Sequence, residues 1–203
     1  MKEVKIGNRI IVPSKVICVG RNYCAHVREL GNEIPEEIVF FLKPNSAVAD
    51  RLLAYHQEQL HYEGELCFIY EKGHFSAVGF GIDLTKRKLQ SSLKEKGLPW
   101  ERAKAFDGSA VFSNFIEMSE VSDAISFILK INGVVVQEGN IDLMIYKPVE
   151  ILSEIQKFMS LHDGDILMTG TPGGVGRINE GDLFTVTVKD GAQIIIEDSW
   201  VAS

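Results

Sequence analysis

The run His61-Tyr62-Glu63-Gly64-Glu65-Leu66-Cys67-Phe68-Ile69-Tyr70 decides how this chain is read. Along a strand, residues i and i+2 point to the same face. Glu63, Glu65, Cys67 and Ile69 then share one side, while Tyr62, Leu66, Phe68 and Tyr70 share the other. From Leu66 onward both sides are apolar, which places the strand inside the protein. Gly64 leaves room beside the carboxylates. Two ionised glutamates near an interior repel each other and lose hydration, so they must be protonated, paired with basic groups or bound to a cation. Oxygen ligands suit Mg2+, Mn2+ or Ca2+ rather than zinc. The plainer alternative is a solvated strand end with two rim glutamates.

Around this run, short β-rich segments dominate. Residues 15–19, 38–42, 62–70, 78–81, 127–131, 134–137, 166–169, 183–188 and 193–196 read as strands bounded by turn residues. Asn132-Gly133 is a strong hairpin signal, because both turn positions require positive φ. Three helices are expected, over 23–30, 84–96 and 149–159. Residues 44–60 read as a long loop with some short strand. Strands do not alternate regularly with helices, so the class is mixed, mainly β (α+β), and not doubly wound α/β.

The 203 residues are 45% hydrophobic and 24% charged, enough apolar material for a real core. A net charge of -7 argues against nucleic acid as the main partner, and an anionic substrate would need a local positive centre. No basic N-terminal segment leads into an apolar run, and no apolar stretch is long enough to span a bilayer. Cys18, Cys24 and Cys67 are an odd set without zinc-like pairing and read as reduced, cytoplasmic thiols.

Several other residues carry chemical potential. Asp83, in Gly79-Phe80-Gly81-Ile82-Asp83-Leu84-Thr85, sits where a strand gives way to a helix. It is either an N-cap or a third oxygen ligand beside Glu63 and Glu65. His26 and Glu29 share one helix face, as an oriented general base or as an ordinary surface pair. Lys104 is an isolated lysine, normally solvated. Thr169-Gly170-Thr171-Pro172-Gly173-Gly174-Val175-Gly176 could offer backbone N–H groups to an anion. It lacks a Gly-Lys-Ser/Thr ending, which excludes an ATP or GTP loop. Lys86, Arg87, Lys88, Lys94 and Lys96 form a basic helix face read as solvated, with Arg87, one turn from Asp83, the exception. Paired glutamates also serve glycosidases, but those carboxylates must flank a sugar from opposite sides, unlike neighbours on one strand face.

Taken in order, these pieces resemble the fumarylacetoacetate hydrolase family, in its small single-domain acylpyruvate hydrolase or oxaloacetate decarboxylase type. The resemblance runs from about Lys15 to the C-terminus. It rests on Gly20-Arg21-Asn22-Tyr23 with His26 and Glu29, Phe41-Leu42-Lys43-Pro44, His61 to Leu66, and Asp83-Leu84-Thr85 with Arg87 and Gln90. It continues through Ala103-Lys104 with Asp107-Gly108, Asn132-Gly133 with Gln137, and Thr169 to Gly176. Departures include Ile82, where members often have Asn, and Arg87-Lys88, where many have Arg-Asp.

The resemblance implies a β-roll or sandwich-like fold with a few short helices. It implies one catalytic domain over 1–203, with 1–14 a short N-terminal extension, and usually a homodimer. Glu63, Glu65 and Asp83 would hold Mg2+ or Mn2+. His26 and Glu29 would act as a dyad on a short helix that closes over substrate. Lys104 would serve as a catalytic group, and Arg21, Asn22, Gln90, Gly170 and Thr171 would contact a small anionic 2-oxo acid. Hydrolysis of an acylpyruvate through pyruvate enolate is the favoured activity. Decarboxylation or tautomerisation of oxaloacetate, or isomerisation or decarboxylation of aromatic-catabolite 2-oxo acids, would use the same site.

Overall fold

The Gly64–Glu71 strand lies in the middle of an eight-stranded sheet in a computed structural model that describes residues 1–29, 31 and 35–203. The sheet runs Val39–Pro44, Lys15–Gly20, Ile166–Met168, Gly64–Glu71, His74–Asp83, Ala110–Phe112 and Val48–Ala49, with Ile116–Glu117 also pairing on His74–Asp83. The central position follows from the two apolar faces. Leu66 and Phe68 enter one core cluster, whereas Cys67 and Ile69 enter a second with Val16, Cys18, Phe115 and Met168. Val4 and Ile6, from the Val4–Ile6 strand near the N-terminus, cover that second cluster.

A four-stranded antiparallel sheet packs over the first cluster, in the order Val134–Asn140, Ile125–Ile131, Leu183–Asp190, Gln193–Val201. An aromatic contact joins the two sheets: Phe80 and Phe127 have ring centroids 5.0 Å apart, and beside it Tyr62, from the His61–Tyr62 strand, stands 5.4 Å from Phe184. The Asn132-Gly133 turn has φ of 51° and 83°, as a tight two-residue hairpin requires. The protein is thus mainly β, with a curled sheet and few helices.

The helices are Cys24–Glu29, Arg87–Glu95, Glu101–Lys104 and Pro148–Ile155. Leu30, the expected end of the first, lies outside the described residues. Pro148 opens the last helix, where its missing N–H costs nothing. Glu101–Lys104 was not expected; a single turn is too short to show a helical period. The second helix begins at Arg87, not at Leu84, and this corrects the reading of Asp83 as its N-cap. Asp83 is the last residue of the His74–Asp83 strand. The expected 62–70 strand also divides. His61–Tyr62 pairs with Gly176–Arg177, the main strand starts at Gly64, and Glu63 stands between them. No described helix is long and apolar enough to cross a membrane.

Candidate functional site

Register brings the acids together. Glu65 pairs with Gly81 and Gly64 with Ile82, and the next step sets Asp83 beside Glu63, where Asp83 N donates to Glu63 O at 2.8 Å. Glu63, Glu65 and Asp83 are all buried, and one carboxylate oxygen from each lies within 4.8 Å of the others. The rim-glutamate alternative is therefore excluded.

Gly64 belongs between the glutamates for a steric reason. A Cβ there would stand 2.8 Å from the Phe80 ring and 2.9 Å from Gln137 Oε1. Gln137 acts as a bracket: its Oε1 accepts from Gly64 N at 2.9 Å, and its Nε2 donates to Thr171 Oγ1 at 2.8 Å and Pro172 O at 3.1 Å. Thr171 Oγ1 in turn donates to Gly64 O at 3.0 Å. Gly170, with φ of 96°, donates its N–H to Glu65 Oε2 at 2.7 Å.

Buried cations answer the buried acids. Lys104 Nζ donates to Glu63 Oε2 and Asp83 Oδ2, each at 2.8 Å, and to Thr85 Oγ1 at 2.6 Å. Lys104 is thus not solvated, because the Glu101–Lys104 turn delivers it inward. Arg87 pairs with Glu63 Oε1 and also donates to Gln90 Oε1 at 2.8 Å. Lys43 is fully buried, donates to Lys104 O, Ser109 O and Ser109 Oγ, and lies 2.9 Å from Asp83 Oδ1. Its three protons are directed elsewhere, so Asp83 Oδ1 is buried without a hydrogen bond.

Burial works to raise the pKa of Glu63, but Lys104 and Arg87 outweigh it and hold that carboxyl well below its ordinary value. Glu65 is pushed well above its ordinary value, by burial first and then by the charges of Asp83 and Glu63. Burial alone would lower Lys104, but Asp83 and Glu63 raise it, so the ammonium is retained.

His26 Nδ1 lies 3.6 Å from Glu29 Oε2, too far for a hydrogen bond, and this buried nitrogen has no partner among the described residues. Both Glu29 oxygens accept from Gly174 N at 3.1 Å, which ties the short helix to the glycine-rich turn. Burial lowers the His26 pKa more than the nearby acids raise it, so its imidazole is neutral near pH 7.

Arg21, His26, Glu63, Arg87, Gln90, Lys104 and Thr171 line one small cavity of about 20 Å³, with Phe41, Lys94 and Trp100 completing its wall. Asn22 and Gly170, expected to touch substrate, are placed differently. Asn22 is fully buried, donates to Tyr146 O and Thr169 O and accepts from Tyr146 N. Every polar atom of its side chain is used to fix backbone, and Gly170 N is committed to Glu65. Neither residue lines the cavity.

Sequence reasoning assigned no role to Lys43, Gln137, Lys94 or Trp100. Lys43 carried a signal, since it shares a strand face with Phe41, and a lysine on an inward face needs a counter-charge. Reading Lys86 and Lys94 as solvated was wrong. Lys86 is buried and donates to Gln57 Oε1 at 2.8 Å, and Lys94 reaches the cavity.

The residues fit a hard divalent cation. Three carboxylates converge, all donors are oxygen, and Asp83 Oδ1 is buried with an unused lone pair. Burial and the neighbouring carboxylates disfavour a charge on Glu65, and a bound cation would favour it.

Comparison with known proteins agrees with this architecture. Residues 15–197 match the family model described as fumarylacetoacetate (FAA) hydrolase C-terminal. The chain is 38% identical over 192 residues to the oxaloacetate tautomerase YcgM of Escherichia coli (strain K12), covering 86% of this chain and 88% of that protein. It is 38% identical over 184 residues to the mitochondrial oxaloacetate tautomerase FAHD1 of Bos taurus, covering 82% and 83%. Among solved structures, fumarylpyruvate hydrolase from Pseudomonas aeruginosa, in complex with Mn2+ and pyruvate, superposes with a TM-score of 0.89 at 32% identity, covering 99% of this chain and 95% of that one. With a family model spanning most of its length and relatives at this level of identity, the chain belongs to the fumarylacetoacetate hydrolase family, whose members are enzymes.

Proposed function

We propose that this protein is a divalent-cation-dependent tautomerase that interconverts the keto and enol forms of oxaloacetate. The observation that carries the reading is a buried imidazole, His26, whose Nδ1 has no hydrogen-bond partner among the described residues and which lines the same small cavity as Glu63 and Lys104. Glu63, Glu65 and Asp83 would hold Mg2+ or Mn2+, which supplies Lewis acidity and counter-charge for the 2-oxo and adjoining carboxylate oxygens.

The chain's own residues then do the following. His26 accepts the proton from C3. The electrons of that C–H bond form the C2–C3 double bond, and the His26 imidazolium gives its proton up, directly or by exchange with solvent, as the 2-oxo oxygen is protonated to the enol, which leaves the imidazole neutral again. Nothing is oxidised or reduced, and the reverse path returns the keto form. Glu29, anchored by Gly174 N, orients the helix that carries His26. The Lys104 ammonium provides a fixed positive charge near the developing oxyanion and needs no reorganisation at that moment. The two oxaloacetate tautomerases at 38% identity support this substrate.

Hydrolysis of an acylpyruvate, the activity favoured on sequence, becomes the second reading. The likeness to a fumarylpyruvate hydrolase supports it. It requires an attacking water beside a longer substrate, which keto–enol interconversion does not. The test is a magnesium-supplemented panel of enol-oxaloacetate, acetylpyruvate and fumarylpyruvate. Accelerated loss of the enol absorbance without pyruvate release supports tautomerisation. Cleavage of the acylpyruvates with no effect on the enol refutes it. By family likeness we also propose a homodimer; a light-scattering mass equal to the 22.6 kDa chain would refute that.

A further inference from the structure

The ion pairs around the acids engage Lys43, Arg87 and Lys104. Two further cations, Arg21 and Lys94, line the same cavity, and neither forms an ion pair among the described residues. Arg21 has φ of 60°, an uncommon conformation for a residue with a side chain, and its Nε is buried without a hydrogen-bond partner. Lys94 comes from the Arg87–Glu95 helix and sets Nζ 4.9 Å from the centre of the Trp100 ring. Burial lowers its pKa to about 8, with the nearby positive charge of Arg21 the next cause.

Two cations held near each other at a partly buried site are unfavourable unless an anion joins them. Of the acidic triad Glu63 lines the cavity, and on the proposed reading the cation held there accounts for one carboxylate of a 2-oxo acid. A monocarboxylate would leave Arg21 and Lys94 unanswered, whereas a dicarboxylate would satisfy both ends. Phe41 and Trp100, with ring centroids 6.0 Å apart, give the carbon chain between them an apolar wall.

We propose that Arg21 and Lys94 form a second anion subsite that takes the distal carboxylate of a dicarboxylic 2-oxo acid and so selects dianions over monoanions. This inference rests on the proposed 2-oxo acid site and assigns Lys94 as its specificity-determining residue.

The test uses malate and lactate, 2-hydroxy acids that differ by one carboxylate and are not turned over by enolisation. Their binding to the magnesium-loaded protein is measured by calorimetry, for wild type and for Lys94→Met, which keeps a chain to cover Trp100. Wild type should bind malate more tightly than lactate. Lys94→Met should weaken malate roughly 10-fold or more, the scale of a lost charged hydrogen bond, and leave lactate within about 2-fold. Lys94→Arg should restore the preference, and Lys94→Gln serves if the methionine variant is unstable. Equal weakening of both acids, unchanged malate binding, or no malate preference in wild type would overturn the proposal. Loss of oxaloacetate turnover is a separate measurement, so a failed tautomerase reading leaves this outcome distinguishable.

Discussion

Replacing Gln137 by Leu tests the bracket that holds the two glutamates in place. The side chain is buried and makes three hydrogen bonds, with Gly64 N at 2.9 Å, Thr171 Oγ1 at 2.8 Å and Pro172 O at 3.1 Å. Leucine nearly preserves volume and removes all three. Gly64 N–H then has no acceptor, and an unsatisfied buried donor costs about 1–3 kcal/mol. The two lost acceptor contacts add roughly 0.5–1.5 kcal/mol each, although Thr171 Oγ1 keeps its bond to Gly64 O. A total near 3 kcal/mol is the working figure. At about 2–4 °C per kcal/mol for a chain of this size, the melting temperature should fall by roughly 6–12 °C. Because Gly64 separates Glu63 from Glu65, slack there should also weaken Mg2+ or Mn2+ binding, by about 10-fold or more. Thermal unfolding without metal and calorimetric metal titration read the two effects separately. A fall below about 2 °C with unchanged metal affinity would refute the reasoning. A large fall with unchanged affinity would show that the bracket supports the fold and not the acids.

Metal removal by a chelator should abolish turnover, with Mg2+ or Mn2+ restoring it; full activity in metal-free protein would sink the cation reading. His26→Ala should cut oxaloacetate tautomerisation roughly 100-fold with metal affinity nearly unchanged, as measured by enol absorbance and calorimetry. A base must be neutral to accept a proton, and burial lowers the His26 pKa. Wild-type rate should therefore persist as pH falls through the ordinary imidazole range near 6.5, dropping only below it; a loss centred above that range would contradict this assignment. Asp165→Asn should destabilise by about 3 kcal/mol in urea unfolding, since its buried carboxylate serves Ser14 Oγ, Lys15 N and Nζ, and His162 N. Burial alone would raise the Asp165 pKa, but those bonds depress it. Its contribution is present above the unfolded value near 3.9 and is lost as pH falls through the lower folded value. The gap between wild type and variant should close there, and a gap constant to pH 2 would refute the account.

The strand cores were legible because their two faces are written in alternating residues. Leu66 and Phe68 on one side, and Cys67 and Ile69 on the other, separate into two core clusters as read from periodicity. The acidic triad was half legible. Glu63 and Glu65 share a face by spacing, but Asp83 joins them through strand register, and both readings of Asp83 stood open on local grounds. The N-cap reading failed because three residues separate Asp83 from the helix, and Lys43 and Lys104 hold its carboxylate. Lys94 and Gln137 were illegible as site residues for the same reason, since each reaches the acids or the cavity from an element distant in sequence, whereas Lys43 was betrayed only by sharing a strand face with Phe41. Only tertiary packing distinguishes such a lysine from a solvated one.

The charge of the whole chain and the charge of its site point in opposite directions, and both matter for an anionic substrate. A net charge of -7 repels an approaching dianion at long range, so electrostatic steering does not assist encounter. The cavity reverses that sign locally. Arg21, Arg87, Lys94 and Lys104 line it and Lys43 stands behind, against the three triad carboxyls. A bound divalent ion would add two more positive charges, so the surplus stays positive in either state. Most of these groups are buried, and buried charges are poorly screened by salt. Capture therefore depends on short-range contacts made after the anion has entered. On the proposed reading, that arrangement would discriminate among small acids by the number and spacing of their carboxylates, which is the property a proton-moving site needs when its substrates differ by little else.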